Sequence, residues 1–356
     1  MTRLLPLAML LLAGCDTAFG PSAGAPAASI DPSSESCGAC HTREYAAWVE
    51  SPHGRSSDSP VFRALVAEVR VTWGEAVAQR CEGCHAPGHD GSDRIGCVTC
   101  HQAVGNRGTR DALLVVEPTA PIASPRPPTG PTPHATRPGR FLAASELCAT
   151  CHVLTGPEHF VESTWDEFLE SPAAEAGLTC QSCHFPRVDG RGDHGLVSVT
   201  PPWGRGATLL AERREAAAAL VAGALELTVE AESDGVTVRL TNARGGHSVP
   251  TGATLVRELW VEVRSADAGV PRALTLVAEM TRDGVAVPLP TEADEVHPAA
   301  LAPGASIART LSLTPPVEAT LYLRPVRADS AEALGLDPDA PELRPITVMT
   351  TRYNGP

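Results

Sequence analysis

From residue 225 to the end, apolar and polar side chains alternate with a period of two, the spacing of strands that bury one face. Leu225-Glu-Leu227-Thr-Val229 and Val236-Thr-Val238-Arg-Leu240 carry the pattern, with Asp234-Gly235 as the turn between them. Leu259 to Val263, Ala273 to Met280, Ile307 to Leu313, Ala319 to Val326 and Ile346 to Thr351 continue it, and Asp283-Gly284 supplies another turn. Seven or so short strands over about 130 residues predict an all-β sandwich of immunoglobulin-like build. Just before them, Ala207 to Leu225 is rich in Ala, Leu, Glu and Arg and predicts a helix. Further upstream the punctuation changes. Residues 15–35, rich in Ala, Ser, Pro and Gly, predict a flexible tether, and eight prolines between Pro118 and Pro138 make 117–139 a loop.

The region 36–200 is organised by a repeated pentapeptide instead. Cys-x-x-Cys-His occurs at 37–41, 81–85, 97–101, 148–152 and 180–184, and accounts for every cysteine except Cys15. Two thiols three residues apart reach the two vinyl carbons of one haem, and the adjoining histidine reaches its iron. Zinc knuckles and redox dithiols also use Cys-x-x-Cys, but neither requires a histidine after every pair. The motifs therefore predict five covalently bound haem c groups. Their thioethers fall on Cys37, Cys40, Cys81, Cys84, Cys97, Cys100, Cys148, Cys151, Cys180 and Cys183, and their proximal ligands are His41, His85, His101, His152 and His184. Each haem has about 33 residues of chain to itself, which leaves little room for a conventional core and predicts helices and irregular loops wrapped around porphyrin.

The chain contains no lysine, which excludes lysine ligation and the Cys-x-x-Cys-Lys site of pentahaem nitrite reductases. Its formal charge is −14. Such an acidic chain is a poor partner for nucleic acid and suits a basic or locally neutral redox protein. At the start, Met-Thr-Arg precedes an apolar stretch from Leu4 to Leu12, too short to span a bilayer, and then Ala13-Gly14-Cys15. The segment 1–14 reads as a lipoprotein signal peptide, and Leu12-Ala13-Gly14-Cys15 resembles the bacterial lipobox, with Cys15 as the acylated first residue. Cleavage there removes Arg3 alone among charged residues and takes the charge from −14 to −15. The expected location is the periplasmic face of a membrane or the cell surface, with a lipid membrane held through Cys15. The predicted map is signal 1–14, tether 15–35, haem domain 36–204, connecting helix 205–224 and β-sandwich 225–356.

Seven histidines remain for the distal side of five irons: His53, His89, His134, His159, His194, His247 and His297. Only Met280 and Met349 of the mature chain could substitute, so most haems are expected to be bis-histidine and of low potential. A distal nitrogen must lie within about 4 Å of the proximal one, because each metal–imidazole bond is about 2 Å. If a helix follows the first motif, His53 is about 18 Å along it from His41 and is expected on a neighbouring haem. His194 sits in a loop able to fold back, His134 lies in the proline-rich loop, and His247 in Gly245-Gly246-His247 would bring a ligand from the β domain. His89 and His159 compete for the fifth place, and His297 reads as a bystander. Asp166, Glu167 and Glu170 read as a solvated helix face.

The stretch 37–54, CGACHTREYAAWVESPHG, resembles the haem-Tyr-Trp-Ser-His signature of the tetrahaem cytochromes that accept electrons from hydroxylamine oxidoreductase. Ser163-Thr-Trp165 through Ser171-Pro172 into 180–186, and GGHSVPTGATLVRELWVEV at 245–263, are similar to segments of such multihaem cytochromes. The resemblance covers nearly the whole mature chain. It implies that His53, His134, His194 and His247 are distal ligands, and that a multihaem domain of helices and irregular chain precedes a β domain. The family's tetrahaem members have four motifs against five here, and Ala86-Pro87-Gly88-His89 is shorter than its counterpart.

The expected task is single-electron relay by a membrane-anchored cytochrome among periplasmic, membrane or extracellular redox partners, including a quinol-oxidising complex. The alternative is an oxidoreductase acting on a small nitrogen or sulfur compound at one five-coordinate haem; no catalytic residue is assigned for it. Tyr45 is the haem domain's one tyrosine, so proton donors are few. A binding module built on the β domain is a third class, for which the sequence names no ligand.

Overall fold

The computed structural model describes residues 30–89, 94–156, 161–252, 256–266 and 268–355. The predicted signal peptide, Cys15, the first part of the tether and His159 lie outside them. Among the described residues no helix is long and apolar enough to cross a membrane.

The motif-bearing half is built from short helices. They are α1 Ser34–Gly38, α2 Thr42–Val49, α3 Pro60–Thr72, α4 Glu75–His85, α5 Cys97–His101, α6 Glu146–Ala149, α7 Thr164–Leu169, α8 Pro172–Glu175 and α9 Cys180–His184. Every Cys-x-x-Cys-His pentapeptide makes one helical turn, which places Cys i, Cys i+3 and His i+4 on one side. The turn is complete in α4, α5 and α9; in the first and fourth motifs it is closed by His41 N–H donating to Cys37 O at 2.9 Å and His152 N–H to Cys148 O at 3.0 Å. The α3–α4 hairpin has a side-chain core of its own. Ser59 caps α3 by accepting from Phe62 N, Pro60 occupies the first turn, and Val66, Val69 and Ala78 are buried with Phe62, Trp73, Val77 and Cys81 around them.

The proline-rich stretch is free of helix, as its composition requires, but it is not featureless. Ile122–Ser124 and Thr136–Pro138 pair as two short parallel strands. The helix after the first motif is also shorter than a run to His53 would need. It stops at Val49, ahead of Ser51-Pro52, and Gly54 N–H then donates to Ser51 Oγ at 3.0 Å.

Helix α10, Ala207–Ala224, leads without a break into β1, Leu225–Glu232, and β2, Gly235–Asn242. The later strands are β3 Glu258–Ser265, β4 Gly269–Val277, β5 Glu279–Arg282, β6 Val285–Ala286, β7 Glu295–His297, β8 Ser306–Leu311, β9 Val317–Arg324 and β10 Ile346–Tyr353, with α11, Ala328–Ala333, before β10. The run expected from Ala273 to Met280 is thus two strands, broken at the buried Ala278. One antiparallel sheet has the order β4-β3-β9-β10, a second β8-β2-β1, and a small third β6-β5-β7. The inward residues of the first two sheets, including Val236, Val238, Val261, Val263 and Leu321, share one core with Ala217 and Val221 of α10. The helix predicted as a connector therefore buries its face in the β region. Asp283 and Gly284 both have positive φ (52° and 75°), the backbone of a primed hairpin turn between β5 and β6.

The two halves pack against each other. Val61 of α3 and Trp203 join Val256, Val326, Ala331 and Leu343 in a second apolar cluster. The loop carrying His247 lies on α7 and α8, where a Cβ on Gly246 would meet Phe168 at 3.4 Å and Ala173 at 3.5 Å.

Candidate functional site

Among the described residues, four of the five motif histidines face a second imidazole. Ring centres are 6.3 Å apart for His41 and His134, 6.5 Å for His53 and His152, 6.3 Å for His101 and His194, and 6.2 Å for His184 and His247. Two metal–nitrogen bonds of about 2 Å, plus about 1.2 Å from each nitrogen to its ring centre, require about 6.4 Å between centres. Each pair is thus spaced to hold one metal ion between its rings, beside a Cys-x-x-Cys turn that would carry the macrocycle. The residues fit haem c. None of these pairs joins neighbours in sequence: His53 crosses from the turn after the first motif's helix to the fourth motif, and His194 lies against His101 of the third. His194 also meets Phe185 edge-on at 5.2 Å.

The ring orientations are held by bonds at Nδ1. His101 pairs with Ala123 O at 2.8 Å, His184 with Val197 O at 2.8 Å, His194 with Gly192 O at 3.2 Å, His247 with Ser248 O at 2.9 Å and His134 with Ala135 O at 3.3 Å. A carbonyl at Nδ1 fixes the proton there and leaves Nε2 as the metal-binding lone pair. Ala123 belongs to the proline-rich stretch, so that loop is tied to the third motif. Burial, and then the neighbouring charges of His152, His85 and His184, push His53 down to about 3, which keeps it neutral and able to coordinate. Burial likewise lowers His85, His101, His184 and His194. His152 differs: burial opposes its charge, but a bond of 2.9 Å from Nδ1 to Glu162 Oε1 lifts it to about 9.

The second motif is arranged otherwise. His85 bonds Ser56 O at 3.1 Å, and its face stacks on Phe62 at 4.1 Å and 12°. Among the ring contacts of the described residues, none joins a second histidine to His85. His89, a candidate here, has its Nδ1 3.4 Å from Thr99 Oγ1 of the third motif. His297 is exposed on β7, away from the motif histidines' ring contacts. Met280 is buried in the small sheet and Met349 packs against the β core, so neither is brought to a motif.

Thiol contacts order the motifs in space. Cys37 lies close enough to Cys97, Cys84 to Cys151, and Cys148 to Cys180 for the thiols to perturb one another, and Cys100 interacts electrostatically with Cys151. The first motif thus adjoins the third, and the fourth adjoins the second, third and fifth.

Sequence reasoning passed over several residues that shape this site. Glu167, read as part of a solvated face, instead accepts from Ser248 N at 3.1 Å and Thr251 Oγ1 at 2.9 Å with one oxygen and from Ser163 Oγ at 3.0 Å with the other. Asp166 is exposed, 4.0 Å from Arg110, and Glu170 is exposed. Trp48 Nε1 donates to Ile95 O at 2.9 Å, anchoring α2 beside the third motif. Glu162 and Phe62 carry no local signal; only folding brings them to a histidine.

The family described as cytochrome c554 and c-prime matches residues 36–102, the first three motifs. A solved structure is similar over almost the whole fold: a penta-haem cytochrome c552 from Thermochromatium tepidum, with a TM-score of 0.67, 18% identity, and coverage of 90% of this chain and 98% of that one. The chain has the fold of a multihaem c-type cytochrome. The motif match supports covalently bound haem c. No curated protein matches the chain.

Proposed function

We propose that this protein is a pentahaem electron carrier, exported and anchored through an acylated Cys15, that passes single electrons among periplasmic, membrane or extracellular redox partners. The four imidazole pairs at 6.2–6.5 Å carry the reading, because a capped iron exchanges electrons without binding substrate. The proximal ligands are His41, His85, His101, His152 and His184, and the distal ligands His134, His53, His194 and His247. When bound, haem supplies one-electron chemistry at iron; the chain's part is to hold the rings, exclude water and tune the potential. The two-sheet region with its seven longer strands supports an immunoglobulin-like sandwich; it has no cysteine and so no haem of its own, and His247 gives it a share in the haem array. Electron paramagnetic resonance of the oxidised holoprotein tests the reading. Four low-spin bis-histidine signals support it; high-spin iron at more than one site overturns it.

The environment of His85 favours a second reading. With Phe62 on its face and no imidazole opposite it among the described residues, this haem is the one suited to an exogenous nitrogen or sulfur ligand. Carbon monoxide binding at a single haem equivalent supports that activity, and none excludes it.

A further inference from the structure

The Nδ1 partners of the motif histidines are not alike. His85, His101 and His184 each meet a backbone carbonyl, a neutral acceptor. Among the described residues, His152 is the one whose Nδ1 meets a carboxylate, Glu162 Oε1 at 2.9 Å. Thr164 Oγ1 reaches the same oxygen at 3.4 Å. The guanidinium of Arg257, from the β region, faces Glu162 electrostatically and donates to Thr251 O at 2.5 Å. Gly252 makes room for the guanidinium: a Cβ there would lie 3.3 Å from Arg257 Nη1.

A carboxylate accepting the Nδ1 proton makes the imidazole a stronger donor at Nε2. A stronger donor, together with a fixed negative charge nearby, favours ferric over ferrous iron and lowers the reduction potential. The fourth motif also lies at the junction of the array, near the second through Cys84 and Cys151, near the fifth through Cys148 and Cys180, and within electrostatic reach of the third through Cys100. We propose that Glu162 is a potential-setting residue, which through His152 holds the haem of the fourth motif below its bis-histidine neighbours. Electrons then rest on the outer haems and cross the junction one at a time, and Arg257 makes that barrier depend on docking of the β region. This inference rests on the haem-carrier reading given above.

The test is a spectroelectrochemical titration of the holoprotein, followed by electron paramagnetic resonance so that each haem is seen separately. In Glu162→Gln the reduction equilibrium of one haem, the His53/His152 pair, rises at least tenfold, about 59 mV for one electron, while the others stay in place. Arg257→Gln leaves the carboxylate unopposed and moves the same haem the opposite way, a sign that general loosening of the fold does not produce. Unmoved potentials in both variants, or a uniform shift of all haems, overturn the inference. A pyridine haemochrome count on the same samples separates the two ideas. Fewer than five haems in the unmutated protein overturns the carrier reading and this inference with it; five haems with unmoved potentials overturns the inference alone.

Discussion

Glu167→Ala is expected to unlatch the β-region ligand from the fifth motif. The carboxylate accepts two hydrogen bonds across the boundary, from Ser248 N at 3.1 Å and Thr251 Oγ1 at 2.9 Å, and both flank His247 closely in sequence. Hydrogen bonds to a charged group contribute about 1.5–3 kcal/mol each, and the half-buried position argues for the lower end. Losing both costs about 3 kcal/mol. Thr164 Oγ1 still meets Thr251 Oγ1 at 2.8 Å, so about 1.5 kcal/mol is a reasonable floor. A factor of ten corresponds to 1.36 kcal/mol, so the population with His247 swung away rises about 10-fold to 100-fold. While that population is minor, the apparent affinity of an external ligand for the iron improves by the same factor. The assay is carbon monoxide titration of the reduced holoprotein, with Glu170→Ala, on the exposed side of the same segment, as the control. An affinity in Glu167→Ala within about threefold of the control would refute the latch.

Three further outcomes follow from the packing. Gly54→Ala puts a Cβ 2.2 Å from Trp48 O, so the segment must shift and carry His53 away from His152; one low-spin signal is expected to be lost, and an unchanged spectrum would show that the loop adapts. His194→Ala is expected to convert one haem to high spin while His297→Ala, on the exposed β7, changes no signal, with electron paramagnetic resonance reading both. Leu321→Ala removes a fully buried side chain from β9, between β3 and β10, and is expected to cost about 2–5 kcal/mol, seen by calorimetry as a lower unfolding temperature of the β region.

Much of the fold was legible because its signals are local. Period-two alternation marked the β region, and two positive φ values at Asp283-Gly284 are what that dipeptide favours. Errors came where a local rule met packing. Ser51-Pro52 ends the helix after the first motif at Val49, short of His53, and α10, which composition reads as a connector, sends Ala217 and Val221 into the β core. Glu167 looked solvated because a charged residue on a short helix usually is, and nothing nearby in sequence announces Ser248 and Thr251 some eighty positions later.

By itself, the sequence determined where haem attachment is expected, since Cys, Cys and His must share one helical turn and that is a matter of five consecutive residues. It also set the supply of distal ligands, many histidines and almost no methionine. Which imidazole faces which was decided only by tertiary structure. Pairing His53 with His152, or His184 with His247, depends on long-range packing of helices, loops and a β region, and no spacing along the chain encodes the 6 Å gap that an iron requires. The same is true of the carboxylate behind His152: its effect rests on a 2.9 Å contact that exists only once the chain has folded.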